Sequence, residues 1–122
     1  MVTINNNLPA KKEDIDLFEK EIKSNLPDGF IKFYKSSNGG EIIGEEEYVY
    51  LWDINDIIPL NKDYDIETYA PDFFIFGSNG GDDAFVVKKD NGYIYIMPFI
   101  GMSNEESSFI SKTFEEFIEN IK

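Results

Sequence analysis

Residues 73–87, FFIFGSNGGDDAFVV, hold two apolar runs on either side of a turn built from Gly77, Ser78, Asn79, Gly80 and Gly81. Runs this short, rich in aromatic and β-branched side chains and bounded by turn residues, form strands rather than helices. The chain is therefore committed to a pair of neighbouring strands, and the other segments must cover them. A glycine-rich loop after a strand also invites a phosphate-binding reading. Such a site needs backbone N–H groups at a helix N-terminus and basic side chains nearby. This loop instead ends in Asp82 and Asp83 and leads into a second strand. It reads as a tight turn whose carboxylates form an acidic rim.

The other segments sort by hydrophobic period. Residues 11–25 place Ile15, Phe18 and Ile22 three and four apart, the spacing of an amphipathic helix. Glu13 and Asp14 at its start and Lys23 near its end complement the helix dipole. Leu26 and Pro27 break it, and Pro27 suits the first turn of a second helix carrying Phe30, Phe33 and Tyr34, which ends at the Ser36–Gly40 run. Strands are expected at 41–43 and 48–52, joined through Gly44, Glu45, Glu46 and Glu47, and at 84–89 and 93–97, joined through Asp90-Asn91-Gly92. The 48–52 strand has one aromatic and one aliphatic face, which predicts burial on both sides or an aromatic face near a partner. Asp53 is expected to cap a short helix that Pro59 ends, residues 61–72 to form an acidic loop with one helical turn, and residues 98–112 to form a loop. Thr113 and Glu116 have capping-box spacing before a helix carrying Phe114, Phe117, Ile118 and Ile121. The order predicts an α+β fold: an N-terminal helical hairpin, a central antiparallel sheet of about four to six strands and a C-terminal helix. Residues 1–122 read as a single domain, with 1–10 loosely ordered.

Charge narrows the function. Twenty-four Asp and Glu face eleven basic residues, all Lys, for a net charge of −13; there is no Arg, His or Cys. Nucleic acid and anionic membrane surfaces are poor partners for such a chain. A basic protein partner is instead drawn in by the long-range field. Without His or Cys the common general base, metal ligand and nucleophile pairings are missing. No apolar run approaches a membrane span, and the absence of Cys suits a reducing compartment, so a soluble, cytoplasmic protein is expected.

Carboxylates are the remaining chemical candidates. Asp63, Asp65 and Glu67 alternate as in a calcium loop, but the glycine and the distal glutamate of that motif are missing, and a solvated loop is the better reading. A glycosidase needs a carboxylic acid in an apolar setting with a second one nearby; only Asp53 and Asp83 have apolar neighbours, and caps and turns account for both. Trp52 reads as core. Glu45, Glu46 and Glu47 form either a solubilising tip or a partner contact.

Together these segments resemble a known family. Leu26-Pro27 with Phe30 and Phe33, then Asn38-Gly39-Gly40, Trp52 after a strand, the 76–81 turn, and the closing Thr113-Phe114-Glu115-Glu116-Phe117-Ile118 are similar to the Smi/Knr-type branch of the SUKH superfamily. The resemblance covers roughly residues 12–121. It departs at Asp82, where that family's turn often has another glycine. The resemblance implies an α+β fold and a non-enzymatic role, either as an immunity protein neutralising a cognate toxin, frequently a nuclease, or as a regulatory interaction module. No cofactor or metal is implied, and a monomer is expected. The residues expected to meet a basic toxin are Glu45, Glu46, Glu47, Asp63, Asp65, Asp82 and Asp83, with Tyr48, Tyr50 and Tyr69 as aromatic contacts.

Overall fold

The computed structural model describes residues 2–122. Among these, seven strands lie side by side in chain order, every neighbouring pair antiparallel: β1 (Thr3–Asn6), β2 (Gly40–Ile43), β3 (Tyr48–Leu51), β4 (Phe73–Ser78), β5 (Asp83–Lys88), β6 (Ile94–Pro98) and β7 (Ser108–Ser111). Helices α1 (Lys12–Ile22) and α2 (Phe30–Ser36) fall between β1 and β2. Helices α3 (Ile54–Asp63) and α4 (Ile66–Tyr69) fall between β3 and β4, and α5 (Phe114–Glu119) closes the chain. The α+β class is as expected, and the sheet is larger than expected.

The two unforeseen strands are its edges. β1 is exposed along its whole length and β7 over its first half, so neither shows the apolar alternation of a half-buried strand. Residues 3–6, expected to be loose, pair with β2 from Thr3↔Ile43 to Asn6↔Gly40. The segment after them is tied down too: the Asn7 N–H donates to Ser37 Oγ and the Ala10 N–H to the Tyr34 carbonyl.

Three helical expectations need correction. Pro27 lies ahead of α2, where its carbonyl accepts from the Phe30 N–H. The expected helical hairpin is only partly realised, because α1 packs more on α3 than on α2. Pro59 does not end α3 but sits inside it. Its missing N–H would have bonded the carbonyl of Asn55; both residues are exposed, so water replaces the lost partner. At the other end, Thr113 Oγ1 accepts from the Glu116 N–H, the N-terminal cap expected for α5.

β4 and β5 are buried on both faces. Alternation sends Phe74, Phe76 and Phe85 toward α1, α2 and α5, where they meet Phe18, Phe30, Phe114 and Phe117. Phe76 is the extra residue of β4 at a register shift, so it and Gly77 lie on one face, opposite Phe85. Phe73, Ile75, Ala84, Val86 and Met97 point the other way and are also buried. On that side Trp52, Tyr64 and Phe99 stack in a row, with ring centroids 6.1 and 4.8 Å apart.

β3 pairs with β4 only over Tyr50↔Ser78 and Leu51↔Gly77 before the chain turns into α3. Beyond that point Asn61 of α3 takes the place of a strand. Its Oδ1 accepts from the Ile75 N–H at 2.7 Å and its Nδ2 donates to the Ile75 carbonyl at 2.8 Å. The exposed backbone of β4 is thereby satisfied inside the core.

Candidate functional site

The cover over the second sheet face stops at β4. Across β1, β2 and β3 that face is open, and register decides what it shows. Glu41 stands opposite Tyr50 and Ile43 opposite Tyr48, so these four side chains share one surface while Ile42, Val49 and Leu51 are buried beneath them. The aromatic side of β3 is thus the solvent side, so this strand is not buried on both faces. Tyr50 is 45% exposed and Ile43 39%.

The glycine turn abuts this surface. Gly77 lets β4 approach β3, since a Cβ there would lie 2.5 Å from the Tyr50 carbonyl oxygen. Gly80, at φ +78°, has no room for a Cβ because the Tyr48 ring fills the space. Asp82 needs no left-handed backbone: the positive φ values among the described non-glycine residues are at Lys23 and Asp65. Its departure from the glycine common in the family adds charge without strain. The Asp82 carbonyl accepts from the Phe99 N–H, which joins the turn to the Trp52–Tyr64–Phe99 row.

One contact pre-shapes the open face. Tyr48 donates its hydroxyl to Glu41 Oε2 at 2.5 Å. That bond, with burial and the carboxylate charge behind it, pushes the Tyr48 phenol up to about 12. Burial, with the charge of Asp53 added, raises Tyr34 as well; its hydroxyl donates to the Trp52 carbonyl at 2.6 Å. Both phenols keep their protons in the folded state while the unfolded chain ionises near the ordinary value of about 10. Their contribution to stability is therefore complete below about pH 10 and declines as pH rises above it. At about pH 11 the Tyr48 ring resonance in NMR is expected to report a neutral phenol. Glu41→Gln should move that titration back toward the ordinary value; an unchanged titration would contradict the assignment.

Tyr48 and Tyr50 share the open face and the turn that carries Asp82 abuts it, while the other expected contacts are dispersed. Asp83 holds the turn, accepting from Asn79 Nδ2 while its N–H donates to Asn79 Oδ1. Glu45, Glu46 and Glu47 form the β2–β3 tip, where Glu47 Oε1 accepts from the Lys122 N–H and the Glu46 N–H donates to the Lys122 carbonyl. Asp63 and Tyr69 are exposed around the α3–α4 corner. Asp65 bonds Thr68 and lines a groove of about 400 Å³ with Glu21, Ile22 and Phe74, apart from the tyrosine face. Asp53 caps α3 through the Asn55 N–H. Trp52 is buried, as expected for core. No group of three or more Asp and Glu among the described residues is placed to hold a metal ion.

Sequence reasoning passed over Glu41, Ile43 and Tyr64. A signal for this region was present in the spacing of the lysines. Residues 36–87 carry twelve Asp and Glu against Lys62 alone, a net of −11, while the remainder carries twelve against ten, a net of −2. Lys62 itself lines the groove with Asp65.

These features define an acidic α+β protein, with a sequential seven-stranded sheet that is covered by helices on one face and half open on the other. The pattern of the SMI1 / KNR4 family (SUKH-1) matches residues 9–120, and the chain belongs to that family. Membership is consistent with an immunity-type protein, in a family that works through protein–protein contacts and is generally non-enzymatic. No curated protein matches the chain. No helix among the described residues is long and apolar enough to cross a membrane.

Proposed function

We propose that this protein is a non-enzymatic immunity protein that binds a toxin with a basic surface and blocks it, acting in the cytoplasm as a single-domain monomer without a cofactor. The observation that carries this reading is the charge asymmetry: within a family of interaction proteins, this member concentrates −11 of its −13 charge in residues 36–87. Such a field speeds the encounter with a cationic partner and disfavours neutral competitors. Asp82, Asp63 and the Glu45–Glu46–Glu47 tip supply steering charge, with Tyr48, Tyr50 and Tyr69 as contact residues. Asp65 and Asp83 add charge beside their bonds to Thr68 and Asn79.

The test is co-expression with the toxin encoded beside this gene. Growth is expected to be rescued, and the purified pair should associate faster at low salt than at high salt. The absence of both rescue and a complex would refute the immunity role and leave the family's regulatory mode as the reading.

A further inference from the structure

Three features of the open half of the sheet face bear on what it binds. It is apolar where solvent reaches it: Ile43 and Tyr50 lie on the face itself, and Tyr64, 42% exposed, stacks on Trp52, two residues beyond Tyr50. It is acidic, with Glu41 among the tyrosines and Asp82 on the adjoining turn, and no lysine is on β1, β2 or β3. It is also ordered in advance, because the Tyr48 hydroxyl holds one oxygen of the Glu41 carboxylate. Among the described residues the other oxygen has no hydrogen-bond partner.

From these observations we infer that the β1–β3 half-face, extended by Tyr64, is the docking surface for a protein partner that lays arginine or lysine side chains over Tyr50 and against Glu41. This rests on the reading that the partner is basic, and it adds where and how that partner is held. A cation over the Tyr50 ring gains the attraction of the ring's negative face. The same cation reaches the Glu41 carboxylate, because Glu41 and Tyr50 are cross-strand partners. The Tyr48 bond has already removed carboxylate freedom, so less entropy is lost on binding. Ile43, across from Tyr48 on the same face, offers apolar surface beside this pair, the kind of rim that strengthens a central aromatic contact.

Charge alone does not select this face, since Glu45 and Glu46 at the tip and Glu119 on α5 are exposed as well. What distinguishes the sheet face is that the exposed Tyr50 ring stands directly across from the Glu41 carboxylate. The groove beside α1 is also less suited, because Lys62 and the Lys89–Glu67 ion pair at 2.7 Å lie on its rim.

The experiment has two arms using the full chain. In the first, an oligo-arginine peptide is titrated at low salt and amide shifts are mapped. They are expected to centre on residues 41–50, Tyr64 and the 79–82 turn; shifts centred on α1 or α5 overturn the proposal. In the second, the toxin domain encoded beside the gene is bound to wild type, Tyr50→Ala, Glu41→Gln and the control Glu119→Gln. Tyr50→Ala is expected to weaken binding at least about tenfold and Glu41→Gln about fivefold, with the control unchanged. If wild type binds and both face variants bind equally well, the docking surface is wrong and the immunity role stands. If wild type does not bind the toxin, the immunity role fails and the peptide map alone decides the surface.

Discussion

Phe30→Ala is expected to lower the unfolding free energy by about 4 kcal/mol, enough to leave a domain of ordinary stability marginal. The ring is fully buried at the start of α2 and touches five others: Phe18, Tyr34, Phe74, Phe76 and Phe114, with centroids 5.0 to 6.4 Å away. Those partners belong to α1, α2, β4 and α5, so the truncation opens a cavity where the whole helical layer meets the sheet. Rings in edge-to-face contact also hold each other beyond the area they bury. Urea unfolding followed by the fluorescence of Trp52, which is buried and the one tryptophan of the chain, measures the loss. Phe109→Ala on the edge strand β7, where the ring is 53% exposed, should cost less than about 1 kcal/mol. Equal losses at the two positions would mean that Phe30 is not the centre of the core.

Asn61→Leu is expected to cost about 3 kcal/mol although it exchanges a polar side chain for an apolar one of similar size. The cause is what it leaves behind. The Ile75 N–H and carbonyl both depend on the Asn61 amide, and Ile75 is fully buried, so neither group has water to turn to. β4 would lose its partner where β3 has already left the sheet. Amide exchange at Ile75 should accelerate in the variant well beyond that at Val86, a neighbour on β5. A variant with wild-type stability and a protected Ile75 amide would show that the bridge is dispensable.

Asn61 marks the boundary of what the chain discloses locally. The strands at 41–43, 48–52, 73–76, 84–89 and 93–97 were legible because a buried strand must be apolar at consecutive or alternate positions. α1 and α5 were legible from their three- and four-residue spacing. β1 and β7 were not, because an edge strand needs one neighbour and no continuous apolar face: TINN and SFIS carry no alternating apolar stripe, and their pairing rests largely on backbone groups that every sequence carries. Pro59 misled for a related reason. Its cost depends on whether the freed carbonyl meets water, and that depends on which side of α3 faces solvent.

The site was legible by residue type and illegible by place. Tyr48, Tyr50 and Asp82 were expected at a surface and stand together there. Glu47 and Asp83 were expected in the same role, yet one holds the Lys122 backbone and the other the 79–83 turn. Glu41 drew no attention as a lone acid in a short strand, and Tyr64 none as a residue in an acidic loop.

By itself the sequence determined the α+β class, the family pattern and the absence of His, Cys and Arg. It also held the acidic field, since charge and hydrophobic period are properties of residues in order. The two buried strands flanking the glycine turn were settled at that level as well. Tertiary structure alone decided which half of the sheet stays uncovered, that Glu41 pairs with Tyr50 and bonds Tyr48, and that Tyr64 borders the same face. Those outcomes depend on register and on where helices pack, which are contacts between residues distant in sequence, and no local pattern encodes them.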